Sequence, residues 1–155
     1  MNAREVFEKR LRQAIRASAR EVQEEAQRTH RFNSKSGQIE RAIDVRMIGD
    51  KTAEVYIDND VAYYGPFVHE GTRAHYIFPK EKQSLRWVPS GGNGFIFAKR
   101  VFHRGTKPDQ FLYEALDNSR EAVHDIFSKA VNVSLGEIAR NVELGVKRTE
   151  LHIKL

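Results

Sequence analysis

Histidine and glutamate are the residues in this chain whose types and spacing could do chemistry. His69, Glu70 and His75 fall within "YYGPFVHEGTRAHYI" (Tyr63 to Ile77), and His103 follows further on. Two histidines bracketing a glutamate invite comparison with H-E-x-x-H, the zinc-hydrolase pattern in which both imidazoles share a helix face one turn apart. The spacing here is different. Six residues put His69 and His75 about 240° apart on a helix at ~100° per residue, or about 20 Å apart on a strand at ~3.3 Å per residue. Only a chain reversal at Gly71-Thr72 brings them together, with His103 as a third ligand. Histidines in aromatic surroundings are more often hydrogen-bonded structural groups, and that is the reading adopted, with no catalytic residue, no cofactor and no metal.

Other chemistry finds little support. The chain has no cysteine, which excludes thiol catalysis, disulfides and cysteine-ligated zinc and leaves the redox compartment undetermined. It carries no G-x-S-x-G elbow and no phosphate-binding G-x-x-x-x-G-K-[ST] loop. The glycines of "GGNGF" lack the strand–turn–helix setting of a dinucleotide site. Its carboxylates sit mainly on helices, at Glu21, Glu24, Glu25, Glu114 and Glu121, where a solvated face is the simpler account.

Charge is more informative. The net +5 is concentrated between Gly71 and Lys107, where eight basic residues (Arg73, Lys80, Lys82, Arg86, Lys99, Arg100, Arg104, Lys107) face one acid, Glu81. That stretch carries +7 and the rest of the chain −2. A polyanion or an acidic protein surface is the implied partner. Trp87 and the neighbouring aromatic residues among these cations raise nucleic-acid binding as an alternative, although no known reader motif accompanies them.

The elements that must position these residues follow from periodicity. Phe7, Leu11, Ala14, Ile15, Ser18, Val22 and Ala26 make a helical stripe from Ala3 to about Arg28, and "RFNSKSGQ" ends it with turn chemistry. Ala42 to Ile48 and Thr52 to Asp58 alternate as strands around a "GDK" turn. "VAYYGPFV" reads as one turn of helix or an extended edge, with Pro66 excluding a central strand. His75 to Phe78, Leu85 to Val88 and Phe95 to Val101 are short strands, the last two joined by "PSGGNG". Pro108 and Asp109 open a second long helix, the acid complementing its N-terminal dipole, and that helix ends near Gly145. The expectation is one α+β domain over residues 1–145. It comprises an N-terminal helix, a small, mostly antiparallel sheet of four or five strands, and a long C-terminal helix packed on the sheet, with a charged tail over 146–155. The amphipathic N-terminus and the lack of any membrane-length apolar run suggest a soluble cytoplasmic protein without a leader or membrane contact.

Two phrases carry a family resemblance: "YYGPFVHEGTRAHYIFPK" (Tyr63 to Lys80) and "VFHRGTKPDQFLYEAL" (Val101 to Leu116). Together with the Ser36-Gly37 step they resemble the tail-component family of long-tailed phages of the Hong Kong lambdoid type, the gene-product-ten-like tail completion or neck proteins. Phe67, His69, Glu70, Gly71 and Thr72 occupy the place of one family motif. His103, Gly105, Thr106, Pro108, Phe111 and Ala115 occupy the other. The resemblance implies a non-enzymatic virion protein that completes or joins the tail at the neck, made in the host cytoplasm and assembled as a ring of identical copies, sixfold by analogy. Its partners would be other head–tail connector or tail-tube proteins, with non-specific contact to DNA in the channel. Both Gly-Thr steps are then scaffold turns, and Arg73, Lys80, Lys82, Arg86, Lys99 and Arg100 form a basic surface. Contacts between copies are expected from the Ser90 to Gly94 loop, the "FVHEGT" segment and the exposed side of the first helix.

Overall fold

The computed structural model describes residues 2–152, with side chains through residue 143. Helix α1 (Ala3–Arg28) begins with a capping box: the Asn2 side chain accepts from the Glu5 backbone N–H, and the Glu5 carboxylate accepts from the Asn2 N–H, both at 2.9 Å. Its buried stripe is Val6, Ala14, Ser18, Ala19, Val22 and Ala26. Small residues dominate, so neighbouring elements approach the helix axis closely. Phe7, expected on this stripe, is exposed and Val6 takes its place.

A five-residue helix, α2 (Gln38–Ala42), lies where a loop and the start of a strand were expected. It leads directly into β1 (Ile43–Ile48), which pairs antiparallel with β2 (Thr52–Ile57) from Ile43↔Ile57 to Ile48↔Thr52. The "VAYYGPFV" segment resolves to helix: α3 (Gly65–Glu70) starts with Pro66 in its first turn. Strands β3 (His75–Ile77), β4 (Leu85–Trp87), β5 (Ile96–Ala98) and β6 (Val101–His103) follow, then α4 (Phe111–Asn118) and α5 (Arg120–His152).

The fold is α+β, with a long helix at each end and antiparallel strands between. The strands do not join into one sheet of four or five. They form three two-stranded pairs, β1–β2, β3–β6 and β4–β5. The expected strand from Phe95 to Val101 is cut in two because its halves pair with different partners. Between the β3–β6 and β4–β5 pairs, one side of the ribbon holds residues 78–84 and the other only residues 99 and 100. Pro79, which has no N–H to donate, sits in that bulge and helps end the pairing.

Helices α4 and α5 run antiparallel along α1. Asn118 donates to Glu25 at 3.1 Å near one end, and Arg10 pairs with Glu137 at the other. Helix α1 also touches β1 and β2, so it is the element shared by ribbon and helices. The central core is Val22, Ala26, Ile39, Ala42, Ile43, Ala62, Phe111 and Ala115, with Phe32, Val55 and Val68 among the residues packed against it. Helix α5 does not end near Gly145. Residues 146–152 of the expected tail continue it, and 153–155 lie outside the described residues.

Candidate functional site

Both Gly-Thr steps converge, and they do so on each other. Thr72 and Thr106 form an antiparallel bridge, with Thr72 N–H donating to the Thr106 carbonyl at 3.0 Å and Thr106 N–H to the Thr72 carbonyl at 3.1 Å. The Thr72 hydroxyl oxygen lies 2.9 Å from the Thr106 nitrogen and accepts from the same N–H. Gly71 and Gly105 have φ of 74° and 88°, in the region that favours glycine. A side chain at Gly71 would lie 2.6 Å from the Thr106 carbonyl oxygen, and one at Gly105 would run into that of Thr72. Each glycine therefore makes room for the other strand's backbone. From sequence the two steps read as separate scaffold turns, because nothing local announces a pairing between segments 34 residues apart.

The bridge is in step with β3–β6, where His75↔His103 and Ile77↔Val101 are paired. Residues 72–106 therefore form one arm closed at its base by the two threonines. The His75 and His103 rings lie 5.1 Å apart. His75 Nδ1 is 2.8 Å from the Arg73 carbonyl, and His103 Nδ1 accepts from the Gly105 N–H at 3.1 Å. His69 is not with them. It lies in the last turn of α3, 4% exposed, edge-on to Phe111 and Tyr113, with Nδ1 2.9 Å from the Glu70 carboxylate and Nε2 without a partner among the described residues. Among the described residues, no three His, Asp or Glu side chains converge to hold a metal ion.

Phe67 is exposed on α3. Pro108 fills the space beside Gly71 and sets up Asp109, whose role differs from the expected dipole partner of its own helix. Helix α4 begins after Gln110. Asp109 is buried and its Oδ2 accepts from the backbone N–H groups of Arg31 at 2.6 Å and Phe32 at 2.7 Å. Its own N–H donates to the Val68 carbonyl at 3.1 Å. One aspartate thus fastens the loop after α1 and the end of α3 to the arm's exit. This tie is non-local at both ends, which is why spacing gave no sign of it.

The arm carries the basic residues singled out from sequence: Arg73, Lys80, Lys82, Arg86, Lys99 and Arg100 all lie on it and are exposed. Arg86 sits over the Phe95 ring at 4.3 Å and Arg100 over Tyr76 at 5.0 Å. No arm residue is buried. Tyr76, Phe78, Trp87, Phe95, Phe97 and Phe102 are all exposed, Phe97 to 63%. Among the described residues none of the four arm strands packs on a helix or on β1–β2 beyond marginal contact. A two-stranded ribbon without a covering layer is marginal in water, and contiguous exposed apolar surface marks an interaction site.

A second feature was not legible in the sequence. An apolar groove of about 700 Å³ runs between α1, β2, α3 and the α4–α5 helices, bordered by Ile15, Val22, Val55, Leu112, Leu116 and Phe127. His69 and Glu70 stand at its edge. Among the described residues no helix is long and apolar enough to cross a membrane. No protein-family model, curated protein or solved structure matches the chain.

Proposed function

We propose that the protein is a structural subunit of a phage or prophage virion, completing or joining the tail at the neck as one copy in a ring. The observation that carries this reading is the 72–106 arm. It is tied down at its base and charged, and among the described residues no other element packs over its exposed aromatic side chains beyond marginal contact. Such a surface suits a protein that becomes ordered and buried in an assembly. The two phrases that resemble tail-component proteins lie on the two sides of the arm's base, so the resemblance and the geometry concern the same structure. In this reading His69, Gly71, Thr72, Gly105, Thr106 and Pro108 are scaffold, and the functional groups are surfaces. The neighbours are connector or tail-tube proteins, and the site of assembly is the host cytoplasm.

The test is particle composition. Purified particles should contain the protein in ring stoichiometry, and particles made without it should accumulate as unjoined heads and tails. Infectious, intact particles lacking the protein would overturn the proposal.

The same arm favours a second reading, binding to nucleic acid, because its cations alternate with aromatic rings able to stack on bases. Without a groove-reading helix this contact would be with phosphates and insensitive to sequence. In a neck ring it would be contact with DNA in the channel.

A further inference from the structure

Among the described residues the arm presents exposed apolar side chains and the body presents an apolar groove. We infer that the arm of one copy docks in the groove of the next copy, a contact that rests on the ring reading and names its two surfaces. Complementarity of charge and of polarity selects this occupant over others. Among the described residues the groove is bordered by two acids, Glu54 and Glu70, and by no lysine or arginine. The arm carries seven cations, Arg104 included, against Glu81. Glu54 is paired with Arg46 at 2.6 Å, so Glu70, exposed at the mouth, is the acid available to an incoming cation.

Apolar groups match in the same way. Trp87 and Ile96 are cross-strand partners near the arm's tip, facing the same side, both exposed. Ile15, Val55 and Leu116 border the groove.

Within one chain the arm does not line the groove, whose bordering residues all lie outside 71–107. The arm springs from Gly71, next to Glu70 at the groove's edge, and the paired threonines with their two glycines hold the exit angle of both strands. Arm and groove are different surfaces of one chain, so the contact is heterologous, and repetition of one rotation closes a ring.

The experiment uses full-length protein in three forms: wild type, an arm variant (Trp87→Ser with Ile96→Ser) and a groove variant (Leu116→Arg). The substituted side chains are 37%, 42% and 54% exposed, so the fold should tolerate the changes, and circular dichroism checks this. Sedimentation velocity over a concentration series should show wild type associating and each variant weakened at least tenfold. An equimolar mixture of the two variants should form a heterodimer that grows no further, since one intact arm and one intact groove remain. Association undiminished in either variant, a mixture that stays monomeric, or wild type monomeric at every concentration would overturn the inference. So would a groove variant that self-associates normally but loses binding to a tail protein or to DNA. Particle composition is read separately, so a neck protein that rings by other surfaces loses this contact and keeps its place.

Discussion

Thr72 and Thr106 exchange two backbone hydrogen bonds across a 34-residue separation, and that exchange turns a stretch of short strands into an arm with a fixed base. Both glycines beside the threonines serve it, one on each strand.

Substituting either glycine should therefore open the base. Gly105→Ala places a Cβ against the Thr72 carbonyl at a φ of 88° and should cost more than about 1 kcal/mol. Hydrogen exchange should show the Thr72 and Thr106 amides losing protection while α1 amides keep theirs. Unchanged protection would mean that the bridge is incidental. Thr72→Val removes the hydroxyl acceptor and should have the milder effect, on the order of 1 kcal/mol.

Asp109 should be the most sensitive acidic position. Asp109→Ala leaves the Arg31 and Phe32 N–H groups without their acceptor and should cost about 2–4 kcal/mol, read from the denaturant midpoint. Asp109→Asn keeps an acceptor oxygen and should lose less. A loss under about 0.5 kcal/mol for the alanine variant, within the range of ordinary surface changes, would contradict the role assigned here.

How far the sequence disclosed this structure depends on the distance over which each feature is decided. Helix α1, the β1–β2 hairpin with its "GDK" turn and the β4–β5 hairpin with its glycine loop were legible because their signals are local. Helix α2 was missed because one turn is too short to show a period. Phe7 and Val6 exchanged places because adjacent residues on a helix differ by only ~100°, and a stripe read from sequence fixes the face no better than that. The Thr72–Thr106 bridge, the burial of His69 apart from His75, the double acceptor role of Asp109 and the groove all depend on which segments meet. No spacing within one segment encodes that.

Acid should loosen the seam between α1 and the C-terminal helices. Arg28 first, then the Thr29 hydroxyl and the Asn118 amide, hold the Glu25 carboxyl below the usual carboxylate range, and Arg10 does the same for Glu137. A carboxyl whose folded pKa is depressed contributes stability that is full above its unfolded value, about 4.3, and is lost as pH falls through the folded value. Melting temperature should therefore be insensitive to these groups from pH 7 to 5 and decline below about pH 4.3. The double variant Glu25→Gln with Glu137→Gln should flatten that acid limb; an unchanged limb would place acid sensitivity elsewhere.

Binding of duplex DNA, where measurable, should be weak, independent of sequence and steeply salt-dependent. Replacing Arg73, Lys80, Lys82 and Arg86 by Gln should weaken it for all sequences alike, with the slope of log K against log salt falling by about 0.9 for each phosphate contact removed. Nanomolar, sequence-selective binding that survives physiological salt would favour a nucleic-acid protein over a virion subunit.

The central claim is that the arm makes this chain a ring subunit, and the mass and shape of the assembled wild-type protein test it most directly. Light scattering across a concentration series, with electron microscopy of the concentrated sample and of tail or neck preparations, should show monomers or weak oligomers giving way to closed rings about a single axis, sixfold by the family resemblance. A stable two-fold dimer at every concentration, absent from any tail or neck preparation, would contradict it.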